Sequence, residues 1–107
     1  MKETLARPEG LCERGNLAYD TIVKFLKENK LDNTGGCKTF YSPKEWAKRE
    51  EYGSGSLLIV VHDGGDHANA FSWDYEQYKT IEALGKKLHE AGEMYSEQCT
   101  CWYSAIY

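Results

Sequence analysis

The sequence predicts a single α+β domain over residues 1–107. Its core is a sheet of about four largely antiparallel strands, with two longer helices and one short helix in the order α-β-α-β-β-α-β. Three observations carry this. Two stretches with helical spacing of apolar residues lie far apart, near 16–31 and 74–91. Between them sits Leu57-Leu58-Ile59-Val60-Val61, a short apolar run bounded by turn formers, which reads as a strand buried on both faces. The chain has 107 residues, 41% of them hydrophobic and 28% charged. That is enough for one core and too apolar for a disordered chain.

Taken in order, residues 1–14 form an N-terminal arm. Pro8, Glu9 and Gly10 mark a turn in it, and Leu5, Leu11 and Cys12 are available to pack on the domain. Asn16 reads as the cap of a helix carrying Ala18, Ile22, Phe25 and Leu26, and the run 32–36, Asp-Asn-Thr-Gly-Gly, ends it. Residues 37–41 are a strand candidate on the strength of Thr39, Phe40 and Tyr41. Ser42, Pro43 and Glu45 form a capping box with proline in the first turn, opening a short helix to about residue 52. Residues 57–62 are the central strand. Asp63-Gly64-Gly65-Asp66 has the composition of a hairpin turn, and the alternation over 67–73 predicts a returning strand. Asp74 and Gln77 signal another cap. The helix behind it carries Tyr78, Ile81, Leu84, Leu88 and Ala91 as one stripe and stops at Gly92. Residues 99–107 alternate as a last strand, with Cys101, Tyr103, Ala105 and Tyr107 on one face.

Charge is uneven along the chain. Residues 1–53 hold ten basic and nine acidic side chains, whereas residues 54–107 hold three lysines and eight acids within a total of −4. A surface built from the second half is acidic and its preferred partner is a basic protein surface. Direct nucleic-acid binding is not expected from this balance. The apolar run is far too short to span a membrane, and the charged N-terminus has no apolar stretch behind it. No secretory leader is therefore expected, and the expected location is cytoplasmic. In a reducing compartment Cys12, Cys37, Cys99 and Cys101 are expected to remain thiols, and their spacing does not match structural zinc. Phosphate-loop and nucleophile-elbow motifs are absent from the sequence.

Two constellations carry functional weight. The acidic half is rich in tyrosine and tryptophan, the residue types that anchor protein interfaces. Aromatics on both faces of a last strand exceed what one core can bury. This points to Trp102, Tyr103 and Tyr107, with the neighbouring acids Glu93 and Glu97, as the contacts of a non-enzymatic binding module that needs no cofactor. The alternative is a small metal-dependent or acid–base enzyme on His62, Asp63, Asp66 and His67, all legal ligands for a divalent metal such as zinc, manganese or iron. The same letters also describe an ordinary turn beside a hydrogen-bonded structural histidine. A homodimer pairing through the last strand is a third arrangement.

The stretches Pro8-Glu9-Gly10-Leu11-Cys12, His62-Asp63-Gly64-Gly65 and Cys101-Trp102-Tyr103-Ser104 resemble small proteins of phages and mobile elements, a group for which no activity is established. The resemblance spans most of the chain. It implies a bacterial host cell as the setting and, among the roles of short acidic proteins there, inhibition of a host defence protein, anti-CRISPR proteins included.

Overall fold

The computed structural model describes residues 4–49 and 55–107. Its elements are helix α1 (Glu13–Glu28), strand β1 (Phe40–Tyr41), short helix α2 (Pro43–Ala47), strand β2 (Leu58–Val61), 3₁₀ turns at Asp66–Ala70 and Trp73–Tyr75, helix α3 (Tyr78–Gly92), and strands β3 (Ser96–Gln98) and β4 (Tyr103–Ile106). The strands form one antiparallel sheet in the order β1-β2-β4-β3. This is the α+β class, strand count and helix inventory that the sequence predicts. No helix among the described residues is long and apolar enough to cross a membrane.

β2 is central because both its faces are apolar and both are covered. Leu58 and Val60 join Ile106 beneath the long helices. Ile59 and Val61 join Tyr103 and Ala105 on the opposite face. α1 and α3 pack on each other over the first face and bury Ala18, Ile22, Phe25, Leu26, Leu84 and Leu88. The second face is closed by α2, which contributes Trp46. The capping box at Ser42 forms as predicted: the Ser42 hydroxyl accepts from the Glu45 N–H at 3.1 Å, and the Glu45 carboxylate accepts from the Ser42 N–H at 3.3 Å. The predicted extension of this helix to residue 52 runs into the part outside the described residues.

Several boundaries differ from the sequence reading. α1 starts at Glu13, earlier than Asn16, because the Cys12 thiol accepts from the Gly15 N–H and caps the first turn. Asn16 is inside the helix, its side-chain amide donating back to the carbonyls of Leu11 and Cys12. The helix ends with Lys30 in the left-handed conformation, Leu31 N–H bonded to Leu26 and Lys30 N–H to Lys27, a Schellman stop without glycine. α3 stops on Glu93 at φ 57°, with Gly92 still helical; the turn one residue later carries Met94 into the core. Asp74 does not open α3: Ser72 caps the 3₁₀ turn ahead of it.

The largest departure is at residues 67–73, which return as a 3₁₀ turn rather than a strand. The slot beside β2 is occupied by β4, and His62 N–H already bonds Trp102 across it. Asp66 N–H goes instead to the carbonyl of Asn33. The small, buried Ala68 and Ala70 let the turn lie against α3. The fourth strand is β3, which with β4 makes a hairpin out of the single predicted last strand. Within β4 the predicted faces hold: Ser104 and Ile106 look toward the helices, Tyr103 and Ala105 away from them. β4 is therefore interior, and two copies cannot pair through it.

Two helical glycines test this packing with opposite signs. A Cβ on Gly15 would lie 2.6 Å from the Leu57 carbonyl, while one on Gly85 would meet nothing within 4 Å. Gly85→Ala is expected to raise stability by about 0.5–1 kcal/mol through helix propensity. Gly15→Ala, in spite of the same propensity, is expected to lower it by about 1–3 kcal/mol through overpacking. Urea unfolding of both variants checks the pair; equal shifts would mean that α1 does not approach Leu57 this closely.

Candidate functional site

The four residues of the histidine–aspartate cluster do not converge. Each ring sits inside the fold, with His62 1% and His67 0% exposed, while Asp63 and Asp66 lie at the surface. His62 follows β2 and turns to the helical face. Its Nε2 lies 2.9 Å from the Ser104 hydroxyl, and its ring stacks on Phe71 at 5.7 Å and 3°. His67 Nε2 donates to the Val61 carbonyl at 2.8 Å, which fixes Nδ1 as the unprotonated nitrogen. Both Nδ1 atoms are buried without a hydrogen-bond partner. Burial lowers the pKa of His62 to about 4, and the neighbouring His67 adds to the shift. Burial lowers that of His67 as well, against the pull of the Val61 and Asn33 carbonyls and the Asp66 carboxylate. A ring neutral down to that range and closed off from solvent is poorly matched to acid–base work near pH 7. Among the described residues no group of three His, Cys, Asp or Glu side chains is gathered as metal ligands.

The loop around this cluster is shaped by packing. Gly65 has no room for a side chain: a Cβ there would lie 2.7 Å from the Thr34 backbone and collide with the His67 ring. Two of the four thiols, Cys37 and Cys99, are poorly placed to act as nucleophiles. Burial pushes Cys37 and Cys99 up, with Asp63 and Glu97 respectively adding to the effect, and reactive thiols need the opposite shift. All four cysteines are free thiols.

The interface candidates fare differently. Tyr95 and Tyr107 exchange both backbone N–H···O bonds at 2.9 Å, and their rings stack at 5.7 Å. Tyr107 is half-buried and Tyr95 is 54% exposed. Glu97, two residues beyond Tyr95 on the same face of β3, is exposed, and so is Glu93 at the end of α3. Trp102 is half-buried in the hairpin turn, 5.9 Å from Trp46 and under the guanidinium of Arg49. Tyr103 is 1% exposed. It lies 5.0 Å from Trp46 and fills the second core, so it supports the surface from beneath instead of presenting a contact.

The contact set read from the sequence leaves out a second aromatic group. Trp73, Tyr75 and Tyr78 are 50%, 45% and 49% exposed, with Trp73 and Tyr78 packed at 5.7 Å and the exposed Asp74 and Glu76 between them. The signal was legible as three aromatics and two acids within six residues, but the same letters read as a helix cap. Gln98 joins this group to β3. Its Oε1 accepts from the Trp73 N–H at 2.9 Å, and its Nε2 lies 3.4 Å from the Ser72 hydroxyl. Residues 71–78 and 93–107 together carry Asp74, Glu76, Glu93 and Glu97 and no lysine or arginine. The basic side chains Arg7, Lys38, Lys44 and Lys48 line a separate groove of about 450 Å³ between the N-terminal arm and α2, where Arg7 pairs with Asp20 and Lys38 with Glu45. Comparison of the chain with models of known protein families, with curated proteins and with solved structures finds no match in any of the three.

Proposed function

We propose that this chain is a non-enzymatic, acidic protein-binding module whose contact surface is the aromatic and acidic ground around β3. The observation that carries the reading is the exposure of Trp73, Tyr75, Tyr78 and Tyr95 beside Asp74, Glu76, Glu93 and Glu97. Large exposed aromatics with low side-chain entropy are the usual anchors of an interface. The surrounding carboxylates select a basic partner and speed encounter with it. Half-buried Tyr107 and Trp102 extend the surface, and Tyr103 holds it in place. Taken with the resemblance to phage and mobile-element proteins, this supports an inhibitor that acts in the cytoplasm of a bacterial host by covering a basic surface of a defence protein.

The test is capture from bacterial lysate with the tagged chain at low and then high salt, followed by titration of the purified captured protein. One stoichiometric, salt-sensitive partner is expected. Tyr95→Ala, and Glu93→Lys combined with Glu97→Lys, are each expected to weaken its binding by about tenfold, the scale of one lost anchor. Their melting temperatures are expected to stay within a few degrees of the parent chain, because Glu93 and Glu97 are exposed and Tyr95 is half-exposed, its ring resting on Tyr107 at the surface. Affinity unchanged in both variants would remove the surface from consideration.

A further inference from the structure

Among the described residues one edge of the sheet has no neighbouring strand, and its chemistry names what fits there. Of the two edge strands, β1 has the N-terminal arm against it, Thr39 N–H donating to the Thr4 carbonyl at 3.1 Å. β3 is last in the sheet, with no strand beyond it among the described residues. Register decides which of its groups face outward. Tyr95 pairs with Tyr107 through both backbone bonds, and Cys99 N–H bonds the Tyr103 carbonyl. Ladder bonds alternate along an antiparallel strand, so Tyr95, Glu97 and Cys99 point their backbone groups toward β4. The N–H and C=O of Ser96 and Gln98 therefore point away from the sheet.

This edge lies between the two aromatic groups. The Tyr95–Tyr107 stack stands on the open face of β3. Trp73, with Tyr78 against it, stands at the Gln98 end on the helical face. Residues 71–78 and 93–107 hold four acids and no basic residue, with Lys79 following the first segment and Arg14 donating to the Gly92 carbonyl just before the second. We infer that β3 takes up an extended, positively charged segment of the partner as a fifth, edge-added strand. Ser96 and Gln98 would supply the main-chain bonds, and the two aromatic groups would grip side chains on alternate faces about 4.8 Å away from β3. The inference rests on the binding-module reading and specifies how that module engages its partner. Three residues of strand give few main-chain bonds, so the aromatic and acidic flanks must share the work of holding the segment.

The probe is a capped seven-residue peptide of alternating lysine and valine. It is compared with the same peptide N-methylated at alternate backbone nitrogens and with a glutamate–valine counterpart. Binding is followed by titration, and the amides of Ser96 and Gln98 by hydrogen exchange. The lysine peptide is expected to bind in a salt-sensitive way and to slow exchange at both amides. N-methylation is expected to weaken binding by about tenfold, as the loss of one or two backbone bonds predicts, and the glutamate peptide is expected not to bind. Ser96→Pro, which removes an outward N–H and leaves the β4 ladder intact, is expected to cost a similar factor at an unchanged melting temperature. The modified peptides keep the test independent of how that variant folds. Binding that ignores N-methylation, or leaves the two amides unprotected, would overturn strand addition while leaving the acidic surface standing. Absence of any binding by the lysine peptide would overturn the inference too, the broader reading being decided separately by the captured protein. Protection of Ser96 and Gln98 that grows with protein concentration and without peptide would assign the edge to a second copy instead, and so overturn the proposed occupant.

Discussion

Trp46→Ala is expected to destabilise the fold by about 3–5 kcal/mol, the range for removing a large buried aromatic. That is a large share of the total stability of a domain this size. Trp46 is fully buried and lies 5.1 Å from Tyr41, 5.0 Å from Tyr103 and 5.9 Å from Trp102, with the Arg49 guanidinium 4.5 Å from its ring centre. α2 has five residues and cannot persist as a helix on its own. The capping box positions it and the tryptophan fastens it to Ile59, Val61 and Ala105. Losing the ring therefore opens a cavity and unfastens the helix together. The melting temperature is expected to fall by roughly 15 °C or more. Trp46→Phe should recover part of the loss, and Tyr103→Ala should cost a comparable amount because Tyr103 fills the same cluster. A Trp46→Ala protein that melts near the parent would mean that the second face of the sheet is not a core at all.

That second core also marks where the sequence stops being readable. Residues 57–61 announce a central strand because apolar side chains on both faces have no other use. The Ser42 capping box is just as local and just as readable. Nothing local announces β3: Ser96, Glu97 and Gln98 have no strand preference, and they are extended because Tyr95 and Tyr107 pair on one side and Cys99 and Tyr103 on the other. Residues 67–73 alternate like a strand. Their conformation is set by contacts to Asn33 and Val61, which lie far back in the chain or across a turn. The site divides in the same way. That Glu93, Glu97, Trp102 and Tyr107 lie near one hairpin follows from their closeness in sequence. That Tyr103 is covered while Tyr95 is open depends on where α2 puts Trp46, and no pattern in residues 99–107 contains that information. Trp73, Tyr75 and Tyr78 were visible as letters, but nothing local said that their turn would meet Gln98.

Acid is expected to destabilise this protein through His62 and His67. In the folded chain His62 is neutral down to about pH 4, held there by burial and by His67. In the unfolded chain its pKa returns to about 6.5. Between those values the unfolded state binds a proton that the folded state refuses, so stability is full above about pH 6.5 and is lost as the pH falls toward 4. For His62 the loss is on the order of 2 kcal/mol by pH 5 and on the order of 3 kcal/mol below pH 4. His67 acts in the same direction, because its pKa is lowered by the same burial. Its Nε2 already donates to Val61, so a proton arriving at its buried Nδ1 places a charge in the core. The slope expected between pH 6.5 and 5 is the one carried by these two buried rings. Urea unfolding at pH 7.5, 6.5, 5.5 and 5.0 measures it, and a ring-resolved NMR titration of His62 assigns it. In the double variant His62→Phe with His67→Gln, the absolute stability falls because Ser104 and Val61 lose their partners, but the slope across that window should flatten. A parent chain equally stable at pH 7.5 and 5.0 would show instead that both rings accept protons in the folded state. They would then have access to solvent, and the acid–base reading of the cluster would return to contention.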